Sequence, residues 1–229
     1  MAIDIYLALT AAEFRHCTAL PRHCAWLSCL FSPYGRGISN IPKQLPPDSL
    51  LVLSDRTPVC GHDSEVIKAQ LEEIITALSC CGLLLDFQRP DCPEVAKIAA
   101  CLTTLPCPVA VSANYAKELA CPVFLPPVPL DVPIVEYLAP WQNREIWLEA
   151  ATQTTAIILT DRGAKYEAFS EDVPLTHREA NLHCHYHIQL GKDSAVFHLK
   201  RTKEDLENLL CQGETMGITR AVGLYQELG

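Results

Sequence analysis

Four side chains in this sequence stand where chemistry could be done: Asp55, Asp86, Gln88 and Glu149 each close or follow a short apolar run. Asp55 follows Leu51-Val52-Leu53-Ser54, Asp86 and Gln88 alternate after Leu83-Leu84-Leu85, and Glu149 follows Ile146-Trp147-Leu148. All four therefore fall near the ends of expected strands. Two carboxyl groups at such strand ends could divide the work of acid and base on a bond held between them. A carboxylate beside an amide could hold a polar ligand by hydrogen bonds. The plainer alternative is that an Asp or Glu after a strand caps the helix or loop that follows. Tyr34, Tyr115, Trp141 and Tyr225 could stack on a sugar ring or line a pocket, although packing at a rim or in the core is the commoner fate of such residues.

Other patterns carry less. His183-Cys184-His185-Tyr186-His187 places three imidazoles on one face of a strand, a spacing that could hold a metal. The same alternation puts Leu182, Cys184, Tyr186, Ile188 and Leu190 on an apolar face. His183, His185, His187 and Gln189 are then expected on the exposed side of an antiparallel ribbon. Arg15-His16-Cys17 and Arg22-His23-Cys24 repeat a triplet, but no Cys-x-x-Cys spacing accompanies them. Gly35-Arg36-Gly37 lacks the Lys-Ser/Thr of a phosphate loop. No metal and no cofactor is expected.

The elements that must position these residues are legible from apolar patterning. Apolar residues make up 49% of the 229, enough for a substantial core. A net charge of -9 with no basic run argues against a nucleic-acid partner. No apolar run reaches the roughly 18 residues of a membrane span, so no membrane partner is expected. Most of the 12 cysteines lie inside apolar stretches, as buried thiols do, and reducing cytoplasm is the expected compartment.

Short apolar strands are expected at 2–9, 24–31, 49–54, 82–87, 107–112, 121–125 and 145–150. The clearest helix follows His62, capped by Asp63 or Ser64, with Val66, Ile67, Leu71, Ile74, Ile75 and Leu78 at helical spacing. Further helical segments are expected at 93–102 and 133–138. Seven strands alternating with helices argue for a parallel sheet, and with an eighth strand for a TIM-like (β/α)8 barrel, complete or incomplete. An open doubly wound sheet is the alternative. Beyond residue 150 the pattern becomes short strands joined by turns at Asp161-Arg162-Gly163 and Gly191-Lys192-Asp193, an antiparallel excursion over about 151–200. A helix at 203–210 follows, and 218–228 reads equally as strand or helix. No linker or repeat divides the chain, so one domain over 1–229 is expected.

Cys81-Gly82-Leu83-Leu84-Leu85-Asp86-Phe87-Gln88-Arg89-Pro90 resembles the signature of glycoside hydrolase family 18, the chitinases and their relatives. In that family an Asp-Gly pair opens the fourth barrel strand, two further Asp residues alternate along it, and an aromatic residue precedes the catalytic Glu, often followed by Tyr-Pro. Gly82, Asp86, Phe87 and Pro90 match. Cys81 and Leu84 stand in place of the first two Asp residues, Gln88 in place of the Glu, and Arg89 where Tyr is common. The family's Ser-x-Gly-Gly on the third strand is absent from 49–54. The resemblance covers 81–90 well and the rest only through the alternating pattern.

The resemblance implies a barrel with a ligand mouth near Asp55, Asp86, Gln88, Glu149 and Tyr115, taking a saccharide or another small molecule. It also implies loss of the chitinase reaction, because a Gln amide has no proton to give to a leaving oxygen. Two other functions stay open. One is a glycoside hydrolase using a different carboxylate pair, Asp86 with Glu149. The other is a protein-interaction module with a mouth closed by side chains.

Overall fold

The computed structural model describes residues 3–33, 37–169 and 173–229. Tyr34, Gly35 and Arg36 of the glycine loop, and Ala2 of the first expected strand, lie outside them. The chain runs β1 (Asp4–Leu9), α1 (Ala11–His16), β2 (Cys24–Phe31), β3 (Ile38–Ser39), β4 (Leu50–Ser54), α2 (Ser64–Leu78), β5 (Gly82–Asp86), α3 (Pro93–Leu102), β6 (Val109–Ser112), α4 (Ala113–Ala116), β7 (Val123–Leu125), α5 (Ile134–Leu138) and β8 (Ile146–Glu149). It continues with β9 (Gln153–Thr160), β10 (Gly163–Glu167), β11 (His177–Glu179), β12 (Cys184–Leu190), β13 (Ser194–Arg201), α6 (Lys203–Glu214), β14 (Ile218–Leu224) and α7 (Tyr225–Leu228).

Eight parallel strands pair in the order β1-β14-β8-β7-β6-β5-β4-β2, and β2 returns to β1. The open-sheet alternative is thereby removed and the barrel is complete. Its eighth strand resolves the 218–228 segment into strand as far as Leu224 and a short helix after it. Asp63 is the cap of α2, its carboxylate accepting the amides of Glu65 (2.9 Å) and Val66 (3.3 Å). Among the described residues no helix is long and apolar enough to cross a membrane.

Closure sorts every strand residue by parity. Tyr6, Ala8, Ala25, Leu50, Val52, Leu84, Ala110, Phe124, Trp147 and Val222 fill the cylinder. Their neighbours, such as Leu51, Leu53, Leu83, Leu85, Val111 and Leu148, face outward into one shared core with Ile67, Leu71, Ile98 and Leu102 of α2 and α3 and Leu209 and Leu210 of α6. Fully burying each such aliphatic side chain is worth about 1.5–3 kcal/mol. At the N-terminal end of the cylinder the guanidinium of Arg220 lies 4.5 Å from the ring centre of Trp147 and 5.7 Å from that of Tyr6. This crowding explains Gly82. A methyl group there would come within 2.9 Å of Arg220 Nη1, 3.0 Å of the Pro108 carbonyl oxygen and 3.1 Å of the Trp147 ring.

The antiparallel excursion is a separate five-stranded sheet, β10-β9-β13-β12-β11, entering after β8 and leaving into α6. Ile157, Cys184 and Leu199 on one face pack with Leu130 from the loop after β7. The opposite face differs from the solvated one that alternation suggests. His185 Nδ1 lies 2.9 Å from Asp205 of α6, His187 stacks on His198 at 6.3 Å, and His183 precedes the strand with its ring 2.6 Å from Gln212. α6 covers the polar face at His185, which strand periodicity cannot show, while Ile188 and Leu190 of the expected apolar face are exposed, Leu190 to 79%. Among the described residues no group of three or more His, Cys, Asp or Glu side chains is placed to hold a metal.

Arg201 ties the sheet to the barrel loops. Fully buried, it donates to the carbonyls of Val128, Leu182 (3.0 Å) and His183 (3.2 Å) and to Gln153 Oε1 (2.9 Å). Burial pushes its pKa down. Replacing it orphans several buried acceptors at once, so Arg201→Met is expected to cost on the order of 3 kcal/mol. Thermal unfolding followed by circular dichroism checks this, and an unchanged midpoint would contradict it.

Candidate functional site

The C-terminal ends of the strands form the rim on which α/β barrels carry their chemistry. Asp86 is the last residue of β5, paired in register with Ser54 of β4, and Glu149 is the last of β8, paired with Val222. Both share parity with inward-facing residues, Leu84 and Trp147 respectively, so both project toward the mouth. Gln88 follows on the loop after β5, and its Nε2 donates to Asp86 Oδ1.

That loop is held from three directions. Asp55, 1% exposed, accepts the amides of Gln88 and Arg89 through its two carboxylate oxygens, each at 2.9 Å. Ser112, at the end of β6, accepts the Phe87 amide and donates to the Leu85 carbonyl, again at 2.9 Å. The Tyr115 hydroxyl donates to the Arg89 carbonyl and accepts the Cys92 amide at 3.2 Å. Phe87 is completely buried between Phe31 and Tyr115, with ring centres 6.0 and 6.3 Å away. Of the five residues singled out in the sequence, Asp86, Gln88 and Glu149 therefore meet at the mouth. Asp55 and Tyr115 spend their polar atoms on the loop that presents Gln88.

The mouth holds two small hollows. One, about 110 Å³, is lined by Gln88, Ser112, Asn114, Phe124, Pro126 and Glu149. The other, about 190 Å³, is lined by Thr10, Ser28, Asn40, Ser54, Arg56 and Asp86, among others. Gln88 borders one and Asp86 the other, and the two side chains are hydrogen-bonded to each other. Each is small beside the ~300–1,000 Å³ of an ordinary small-molecule site, and together they reach its lower end. A larger cleft of about 770 Å³ lies on the barrel flank between α1 and 40–44 and shares only Asn40 with the mouth. We place the candidate site at the mouth because the titratable residues converge there.

Burial pushes the Glu149 carboxyl above the usual range, and the charges of Asp86 and Glu227 push it further. Tyr137, half-buried and beside the charge of Glu149, is raised to about 12. Glu227 in α7 has a buried Oε2 without a hydrogen-bond partner. Sequence patterning missed Ser112, Asn40 and Glu227. Alternation from Ala110 pointed to Ser112, whereas nothing local placed Asn40 or Glu227 at a mouth. Of the remaining aromatics, Trp141 stacks under Arg144 at 5.7 Å and the Tyr225 hydroxyl accepts from the Cys17 thiol at 3.6 Å. Neither lines the mouth hollows.

No family model matches the sequence, and no curated protein matches it. Solved structures do match in fold. The spore cortex-lytic enzyme SleL of Bacillus cereus superimposes with a TM-score of 0.60 at 10% identity, over 100% of this chain and 71% of that one. A chitinase from Chromobacterium violaceum gives 0.56 at 10% identity, over 99% and 95%. The C-terminal domain of a putative chitinase from Desulfitobacterium hafniense gives 0.54 at 8%, over 97% and 93%. The class this defines is an eight-stranded parallel α/β barrel with a separate antiparallel sheet, a fold shared with chitinases and SleL. At these identities the likeness is one of fold.

Two outcomes follow from the geometry. Asp55→Ala leaves two loop amides without acceptors and should cost on the order of 2 kcal/mol, with faster hydrogen exchange concentrated at Gln88 and Arg89. Equal exchange in both proteins would contradict the clamp. Glu149 has a folded pKa above its unfolded value, so the folded state binds the extra proton in between. Stability is then fully present below the unfolded pKa and falls as pH rises through the folded one. Glu149→Gln is expected to raise the melting temperature at neutral pH and to lose that advantage in acid. A pH series of melting curves checks the sign.

Proposed function

We propose that the protein binds a saccharide at the barrel mouth without hydrolysing it. The observation that carries this reading is Gln88, whose backbone N–H is held by Asp55 and whose side-chain amide donates to Asp86. On the family 18 comparison, that position is where a proton-donating Glu would stand. General acid catalysis is worth roughly 10²- to 10⁴-fold, and an amide cannot supply it. It can still donate a hydrogen bond to a glycosidic or carbonyl oxygen. The fold shared with a chitinase, with a domain of a putative chitinase and with SleL, together with polar groups from Ser112, Asn114, Asn40 and Glu149 around the mouth, supports a sugar as the ligand class.

A ligand spanning both hollows meets both Gln88 and Asp86. Binding should therefore weaken in Gln88→Ala and in Asp86→Ala. We also place the protein in a reducing compartment. Cys24 and Cys184 are buried thiols raised to about 11, and Cys29 to about 12, the behaviour of inert core thiols.

A second reading has one observation in its favour. The raised pKa of Glu149 beside Asp86 is the environment of a general acid paired with a carboxylate. The two readings separate in one experiment: calorimetric titration with chitin oligosaccharides, with product analysis of the same samples. Binding without new reducing ends, weakened in Gln88→Ala, supports the proposal. Turnover that disappears in both Asp86→Ala and Glu149→Ala supports the hydrolase instead, and no binding at all removes the saccharide reading.

A further inference from the structure

Among the described residues the antiparallel sheet ends in an open edge. There β10 pairs with β9 on one side only, and all five of its residues are exposed, Tyr166 to 57%. Such an edge is a template for another strand unless something blocks it. Its hydrogen-bonding register follows from the hairpin. Thr160 and Gly163 flank a two-residue turn and face each other, with Lys165 opposite Ile158 and Glu167 opposite Ala156. In an antiparallel pair, residues alternate between bonding their partner and pointing their amide and carbonyl away. With Thr160 and Gly163 as the bonded closing pair, Gly163, Lys165 and Glu167 bond inward to β9. Ala164 and Tyr166 then carry their backbone groups outward to the open edge.

The side chains make this edge complementary to itself. Lys165 and Glu167 flank Tyr166, share one face and pair with each other within the strand, yet remain largely solvated, with side chains 73% and 43% exposed. An antiparallel strand added with a two-fold axis at Tyr166 sets Tyr166 opposite its own copy. The backbones of the two Tyr166 residues, both pointing outward, then exchange two hydrogen bonds. Lys165 falls opposite the copy's Glu167, and Glu167 opposite the copy's Lys165. These are non-hydrogen-bonded positions, where opposed side chains lie closest. A lone edge lysine would deter pairing, but a lysine and a glutamate placed symmetrically about the central outward residue reward it in this register. Shifted by one residue, the strand would present its inward-bonded positions and lose the bonds.

We infer that β10 is a self-association edge. Two copies of this chain join antiparallel through Tyr166, with two ion pairs between Lys165 and Glu167, making one ten-stranded sheet from two five-stranded ones. The interface is isologous, as a two-fold dimer requires. It lies on the far edge of the sheet from β11 and involves none of the mouth residues, so it stands independently of the saccharide reading.

Sedimentation velocity over a concentration series tests it with four proteins: wild type, Lys165→Glu, Glu167→Lys, and the double exchange. Wild type is expected to show a concentration-dependent monomer–dimer equilibrium. Each single variant puts like charges opposite at both pairs and should weaken the dimer by roughly tenfold, while the double exchange restores it. Tyr166→Pro removes an amide that points away from β9 and should abolish the dimer while the circular dichroism spectrum stays unchanged. In wild type the Tyr166 amide should gain hydrogen-exchange protection as concentration rises. A wild-type protein that stays monomeric throughout, or a dimer indifferent to the charge exchange, would overturn the inference.

Discussion

The fold depends on β1 pairing with β14 on one side and β2 on the other, since that closes the cylinder. Closure leaves each strand residue only two directions, into the cylinder or out against the helices. Leu50, Val52, Leu84 and Trp147 fill the inside, while Leu51, Leu53, Leu83 and Leu148 hold the outer layer. What the protein can present at its mouth is decided by which residues continue the inward series past the strand ends. Asp86, Ser112 and Glu149 do so. Asp55 belongs to the outward series of Leu51 and Leu53, and it turns under the neighbouring loop instead of into the mouth.

That difference in parity separates two kinds of carboxylate. Asp55 is buried and saturated by two backbone amides, so it works as a structural anchor. Asp86 and Glu149 share a partly buried space with Glu227 in which one charge disfavours the next. Gln88 links the two regimes. Its backbone is held by the anchor and its side chain is engaged by Asp86. The mouth is thereby pre-set as two hollows, each bordered by one member of a hydrogen-bonded pair, an arrangement suited to a ligand that replaces one polar contact with others.

Much of this was legible in the sequence. The seven apolar runs before residue 151 are the first seven barrel strands, because strands covered on both faces read as continuous apolar stretches. Ring closure was legible only through the number of strands: pairing of the first strand with the last is a contact between distant residues, and an open sheet has the same alternation. Short pieces escaped for a different reason. β3, at two residues, and α1, at six, are too brief to show a period. The 218–228 segment read as both strand and helix because it contains both, joined next to Gly223, where a methyl group would come within 2.6 Å of the Ala150 carbonyl oxygen. At the mouth, the motif at 81–90 and the run before Glu149 led to the strand ends that carry Asp86 and Glu149. The burial of Asp55 under the loop, the docking of Tyr115 on that loop and the arrival of Glu227 depend on tertiary neighbours and had no local signal.

The central claim is that the mouth accepts a sugar and leaves it intact. Backbone-resolved magnetic resonance during titration with a chitin oligosaccharide, read together with reducing-end release in the same tube, tests it most directly. The account predicts saturable shifts confined to the amides around Asp86–Gln88, Ser112–Asn114 and Glu149, with no release. Shifts that avoid those residues, or the appearance of new reducing ends, would contradict it.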